Sequence, residues 1–468
     1  MGELARAAHK CIAHNLKQVR ARRSEKSGRK NMKIAIIGAG IGGLTASYEL
    51  KKLGHDVEIY EATERAGGRG RLMQRPGTND WADVGSQYFV GSYGNILRII
   101  DEIGLTPKTT VVHGKMRVFT GSAPDESFVV DPKKPWFKNG SFFDNINLLM
   151  YAAKLLLTNK SEKYAPSPRN SKIDDVLALD STKSKFIQDN LLRLSTRTGL
   201  LNDLEASEMH LSHLQHQLAS FGSHPLVTLE GGTASLHREL AKRATIHYNQ
   251  PADTLIEDNS NVVGFTLKNG DEVRADHVVV AANAVHAAKI IPNTWALEKD
   301  YLSAIEQPPA IIISLFLSEK LPETILTYFL PFNAKTAVSY CTDANQDGTG
   351  NTPSGKSTLQ AWIIHPNSAE YMETSDEELA ALARRDIAPY MPHVDNLVEG
   401  FAVTRHKYTV PQFHTGHNQR THGFLDSIDN RNGVSFVGDY VSNGNMESTV
   451  WCVRRMIDQL TTSKSAAA

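Results

Sequence analysis

Cysteine is nearly missing from this chain: Cys11, Cys341 and Cys452 stand far apart, with no Cys-x-x-Cys pair and no even framework. That spacing excludes a disulfide scaffold and points to a reducing compartment, the cytoplasm. Excess charge is missing too, because 51 Lys and Arg balance 51 Asp and Glu, so no field is available to hold nucleic acid. No apolar run reaches the roughly 18 residues of a membrane span. The nearest, Phe142 to Leu157, is broken by Asp144 and Lys154; it reads first as a core helix, with an interfacial patch as the alternative. What the chain does have is length. Its 468 residues exceed one ordinary domain, so two or three are expected.

Charge is balanced overall but uneven along the chain. Residues 1–31 carry nine Lys or Arg against Glu3 and Glu25, and they lack the apolar core of a secretory signal. A mobile basic extension is expected there, with a transit-like segment or a peripheral membrane arm as alternatives.

The most informative stretch begins at Lys33. Ile34 to Ile37 is a short apolar run suited to a buried parallel strand, and Gly38-Ala39-Gly40-Ile41-Gly42-Gly43 comes directly after it. A helix is expected from Leu44 to Leu53, then a strand from Val57 to Tyr60 that ends in Glu61. Gly38 permits the tight turn, Gly40 lets the backbone approach a pyrophosphate, and Gly43 lets helix pack on strand. The helix N-terminus offers free N–H groups to the phosphates. Glu61, about 20 residues on, is placed to accept from ribose hydroxyls.

Beyond Glu61 the sequence resembles the amine oxidase superfamily of FAD enzymes, which includes monoamine and polyamine oxidases, protoporphyrinogen oxidases and carotenoid desaturases. The resemblance is carried by Gly67-Gly68-Arg69, by Asp83-Val84-Gly85 with Gln87-Tyr88-Phe89, and by Tyr408 to His417, which is similar to a protoporphyrinogen oxidase Pro-Gln-Tyr-x-x-Gly-His stretch. Gly438-Asp439-Tyr440 followed by Met446-Glu447 matches the desaturases, with Ser448 in place of their Gly. The resemblance implies noncovalent FAD, since the flavin-linking Cys of monoamine oxidases has no counterpart in Tyr408–Arg420. It places Arg69 or Arg71 near the phosphates, the backbone of Ala252 by the adenine, Asp439 at the ribityl or phosphate region, and the backbone of Met446 and Glu447 at the flavin edge.

The implied fold is α/β: a Rossmann-type FAD-binding domain in segments 32–94, 222–290 and 400–462, interleaved with an α+β substrate domain from 95–221 and 291–399. Residues 95–218 read as largely helical, with helices expected at Ile173–Leu179, Phe186–Leu194 and Leu204–Leu218. His210, His213 and His216 recur at three-residue spacing in the last. Without a supporting ligand pattern they are expected to be polar helix histidines rather than a metal site. Gly350 to Ser357 satisfies a P-loop pattern, yet Ser357 to Ile364 alternates like a strand where a P-loop needs a helix, so the stretch is read as a hairpin connection.

The expected chemistry is oxidation or desaturation of a small organic substrate by hydride transfer to flavin N5. No second strand leads into a Gly-x-Gly-x-x-Gly, so O2 or a quinone is the expected acceptor, and redox-neutral use of the flavin stays open. Amine oxidases present a Lys near N5 from a substrate-domain strand; here Ile312 or Ile313 stands in that place. That favours a less polar substrate over an amine, with an amine oxidase yielding imine and H2O2 as the alternative. Rab GDP-dissociation inhibitors share the architecture as binding modules without redox chemistry and form a further alternative. Homo-oligomer formation is left open.

Overall fold

The computed structural model describes residues 31–112, 114–158, 164–169, 171–203, 209–221, 224–322, 324–343 and 356–462. The leader and most of residues 350–357 lie outside them.

Two sheets organise the molecule. The first has five strands, all parallel, in the spatial order Thr245–His247, Asp56–Tyr60, Lys33–Ile37, His277–Val280, Val434–Phe436. Numbered along the chain this is 3-2-1-4-5, so the order reverses between the first and fourth strands. Crossovers from that point leave in opposite directions and open a crevice at the carboxyl ends. Ile34, Ile36, Val278, Val279 and Val280 are wholly buried, as continuous apolar strands covered on both faces must be. The helix Ile41–Lys52 covers one face and packs against the last helix, Met446–Thr462. Gly42 is the contact point, where a Cβ would press on Val437 and Thr449.

The second sheet has seven strands, in the order Val398–His406, Ala310–Leu317, Thr358–Ile363, Tyr340–Asp343, Ile325–Phe329, Lys115–Phe119, Ser127–Val130. Neighbours run antiparallel except Ile325–Phe329 beside Lys115–Phe119. One face packs on the helix Asp376–Ile387, which a Ser375/Glu378 capping box starts. The other face meets the segment 82–84 and a helical layer built from residues 142–199.

Several expectations change here. The strand Val398–His406 pairs with Ala310–Leu317, so the boundary drawn at residue 400 falls inside the second sheet. The helix Gly94–Glu102 packs in the first sheet's core through Ile96, Ile99 and Ile100, beyond the boundary drawn at 94. Residues 115–130 contain two strands within a region read as helical: Lys115–Phe119 is held by Ile325–Phe329, some 200 residues away, which local pattern cannot reveal, and Ser127–Val130 pairs back on it. Residues 173–178 form turns and a single bridge from Leu177 to His210 rather than an α-helix, and a short 3-10 helix follows at Leu179–Ser181. The three histidines near 210–216 are buried and not on a polar face; the His213 ring stacks on Phe413 at 4.2 Å. Burial holds His210 down to about 3 and His216 down to about 4, so both are neutral at physiological pH. Among the described residues no group of three or more His, Cys, Asp or Glu could hold a metal ion. Lys356 leads into the strand Thr358–Ile363, not a helix, and pairs with Glu399 at 2.7 Å.

Candidate cofactor site

The glycine turn sits on the reversal point of the parallel sheet. Gly38 has φ of +102°, and a Cβ there would lie 2.9 Å from the Ala281 carbonyl oxygen at the end of the fourth strand. Gly43 is tighter still, since a Cβ would meet the Gly38 carbonyl oxygen. Gly40 differs: a Cβ would find nothing within 4 Å, so it faces open space. The helix Ile41–Lys52 begins there with no side-chain cap and no acid in its first turn. Its first N–H groups and partial positive charge are therefore offered to an anion.

The second glycine pair closes over the first. Gly67 N–H donates to the Ala39 carbonyl at 2.8 Å, and Gly68 passes within a Cβ contact of Gly40. Glu61 ends the second strand beside this turn; its carboxylate accepts from Ala39 N–H at 2.8 Å and from Thr63 N–H at 3.0 Å. Gln250 N–H donates to the Glu61 carbonyl, which brings Gln250-Pro251-Ala252 alongside, with Ala252 opening the strand Ala252–Asp258.

From the far end of the sheet comes Gly438-Asp439. Asp439 is buried and pairs with the Arg69 guanidinium at 2.7 Å, while Arg69 also donates to the Thr409 carbonyl at 2.6 Å. Arg69 is thus a brace between three segments. Arg71 is half-buried, its Nε has no hydrogen-bond partner, and burial followed by the charge of Arg65 lowers its pKa. An uncapped helix N-terminus, an open glycine face and a guanidinium with a buried unsatisfied N–H form a donor set for a diphosphate.

Met446 starts the last helix. Its N-cap is Asn445, whose carboxamide oxygen accepts from Ser448 N–H at 2.8 Å while the Ser448 hydroxyl accepts from Asn445 N–H at 3.1 Å. The serine that replaces glycine is therefore turned into the cap and leaves the helix end open. The Glu447 side chain leads elsewhere than the sequence suggests. It is buried and accepts from the N–H groups of Asn95 at 2.7 Å and Ile96 at 2.9 Å, capping the helix Gly94–Glu102. Burial raises its pKa to about 7 despite those bonds.

Other side chains shape the site: Asp83 belongs to a motif already noted, whereas Gln360 and His406 carried no signal in the local sequence. Asp83, wholly buried and pushed up to about 6 by desolvation, accepts from Thr233 Oγ1 at 2.8 Å and caps the helix Ala234–Ala241. It joins the Asp-x-Gly segment to Gly231-Gly232. Gln360 Nε2 donates to the Asp83 carbonyl at 2.9 Å, and His406 Nε2 donates to the Val84 carbonyl at 2.6 Å. Both reach out from the seven-stranded sheet. Between them on that face lies Ile312, opposite Trp362 and Thr404, in one cluster with Val84; Ile313 points to the opposite face, among Leu379 and Ala383. Tyr340 stacks on Trp362 at 5.5 Å.

A sequence model of the family described as flavin containing amine oxidoreductase matches residues 41–450. The chain belongs to this family. Among relatives, it is 23% identical over 436 residues to coproporphyrinogen III oxidase of Staphylococcus aureus, covering 83% of this chain and 90% of that protein. It is 22% identical over 386 residues to 15-cis-phytoene desaturase of Solanum lycopersicum, covering 78% and 65%. Among solved structures, cyclohexylamine oxidase from Brevibacterium oxydans superposes with a TM-score of 0.72 at 17% identity, covering 92% of this chain and 100% of that one. As a family member it is an FAD-dependent oxidoreductase that holds its flavin noncovalently, and the reading as a non-redox binding module gives way. The first sheet is its Rossmann-type FAD-binding part, interleaved with an α+β part. Among the described residues no helix is long and apolar enough to cross a membrane.

Proposed function

We propose that this flavoprotein dehydrogenates or desaturates a small, weakly polar organic substrate at the junction of its two sheets. The supporting observation is Ile312. It occupies the face toward Val84, flanked by Trp362 and Thr404, where the resemblance to amine oxidases calls for lysine. When bound, FAD would supply the oxidant for removal of a hydride from the substrate, with O2 or a quinone as the final acceptor of the two electrons. The protein binds and orients. Gly38, Gly40, Ile41, Gly42 and Gly43 hold the diphosphate on the helix N-terminus, with Gly68 as the roof and Arg71 as the charged donor. Glu61 takes the ribose hydroxyls and the Ala252 backbone flanks the adenine. Arg69 fixes Asp439 for the ribityl region, and the N–H groups at Met446 and Glu447 face the flavin edge with a helix dipole that favours negative charge. Ile312, Trp362 and Tyr340 keep water from the substrate side. In domain terms, 32–102, 222–290 and 407–462 serve the cofactor and the rest of 103–406 serves the substrate.

Anaerobic mixing of the holoprotein with polyenes, tetrapyrrole precursors and primary or secondary amines tests this. The flavin spectrum is expected to bleach with one of the first two classes. Bleaching by amines alone would favour the amine oxidase alternative and reject ours. The cofactor assignment is tested separately: Glu61→Ala should lose ~1–3 kcal/mol of FAD affinity, seen as release on dilution.

A further inference from the structure

The helix Phe142–Thr158 is not the core helix that its composition suggests. Its inner face, Asn145, Leu148 and Leu155, is buried, but Phe142, Phe143, Leu149, Met150, Leu156 and Leu157 are exposed, Phe143 by 75% and Leu157 by 85%. These six form two rows at seven-residue spacing, 142-149-156 and 143-150-157. On a helix such rows lie side by side and extend about 21 Å. Trp136, 42% exposed, extends the patch and packs on Phe142 at 5.7 Å. Contiguous exposed apolar surface of this kind marks an interaction site.

The rim identifies the partner. Lys133, Lys134, Lys138 and Lys154 are exposed around the patch, and among the described residues none has a carboxylate partner. The two acids of the segment are engaged in local turns: Asp131 accepts from Lys133 N–H at 2.9 Å and Asp144 from Ser141 N–H at 3.0 Å. The outward surface is therefore apolar, aromatic at one end and net positive, with four lysines against two acids. A second copy of the chain would bring four more unpaired lysines against these. The leader would bring nine Lys or Arg. Both are repelled.

We infer that this face docks on an anionic lipid bilayer, the helix lying in the interface plane with Phe143, Met150 and Leu157 among the acyl chains. Trp136 sits at headgroup depth, and the lysines reach lipid phosphates along their apolar stems.

The test uses the full-length, FAD-loaded protein in co-sedimentation with vesicles of phosphatidylcholine alone or with phosphatidylglycerol added. F143S/L157S changes exposed positions only, and K133E/K138E reverses the rim. Flavin absorbance and thermal unfolding confirm that both variants fold. Binding to the anionic vesicles, with a loss of about tenfold or more in each variant, is the expected result. Unchanged binding in both variants would assign the contact to the leader and overturn the inference, as would equal binding to neutral vesicles. Lipid-independent dimers abolished by F143S/L157S, without vesicle binding, would make a second copy the occupant and overturn it as well.

Discussion

Gly43 and Gly40 stand in one turn but answer to different neighbours. A methyl group at Gly43 would lie 1.9 Å from the Gly38 carbonyl oxygen, so alanine there forces the turn itself to move. At Gly40 the same methyl would meet nothing within 4 Å, and the backbone there is extended, with φ of −74°. Gly43→Ala should therefore lower the unfolding temperature of the FAD-free protein. Gly40→Ala should leave it unchanged while weakening FAD about tenfold or more, because the methyl enters the space reserved for the cofactor. Paired thermal melts and flavin titrations separate the two. A Gly40→Ala protein with full affinity would remove this turn from the cofactor site. At this scale part of the sequence was legible: the turn and Glu61 stand together at the carboxyl ends of the parallel strands, and Arg69, which the resemblance put near the phosphates, is paired with Asp439. The Glu447 side chain was not, because the helix it caps is 352 residues away.

Among elements, two helices begin on buried carboxylates. Glu447 starts Gly94–Glu102 and Asp83 starts Ala234–Ala241, and desolvation raises their pKa values to about 7 and about 6. A carboxyl whose folded pKa exceeds its unfolded value binds protons more readily when folded. Its contribution to stability is full below about pH 4 and is lost as pH rises through the folded value. The buried histidines oppose this trend: those lowered to about 4, His216, His237 and His406, make folding more favourable as pH rises from about 4 to 6.5. The carboxylate effect is best read as a difference. The stability advantage of the wild type over Glu447→Gln should shrink between pH 5 and pH 8, by an amount on the order of 1–3 kcal/mol, in denaturant melts. A constant difference would mean that Glu447 is ionised throughout. Element types followed the same division as the residues. The helix that follows the glycine turn, Ile41–Lys52, was readable from sequence. Lys115–Phe119 was not, because its strand character comes from Ile325–Phe329 beside it.

The molecule as a whole is held by partners remote in sequence. The last strand of the parallel sheet, Val434–Phe436, lies against His277–Val280, and Asp439 joins Arg69 across 370 residues. The resemblance at Gly438-Asp439-Tyr440 signalled this return, but the shared border of the two sheets depends on Gln360 and His406, which no motif announces. The return has a consequence in time. A ribosome makes the glycine turn early, yet the edge strand, the Asp439 brace and the Glu447 cap leave the exit tunnel about 400 residues later. Until then the strand His277–Val280 has an open edge and the helix Gly94–Glu102 an uncapped start, both invitations to wrong pairing. Nascent chains arrested at Arg431 should therefore be protease-sensitive and retain no FAD, whereas chains extended past Thr462 by a linker should capture it; equal capture by both would show that the cofactor can be gripped without the last strand, the Asp439 brace and the Glu447 cap.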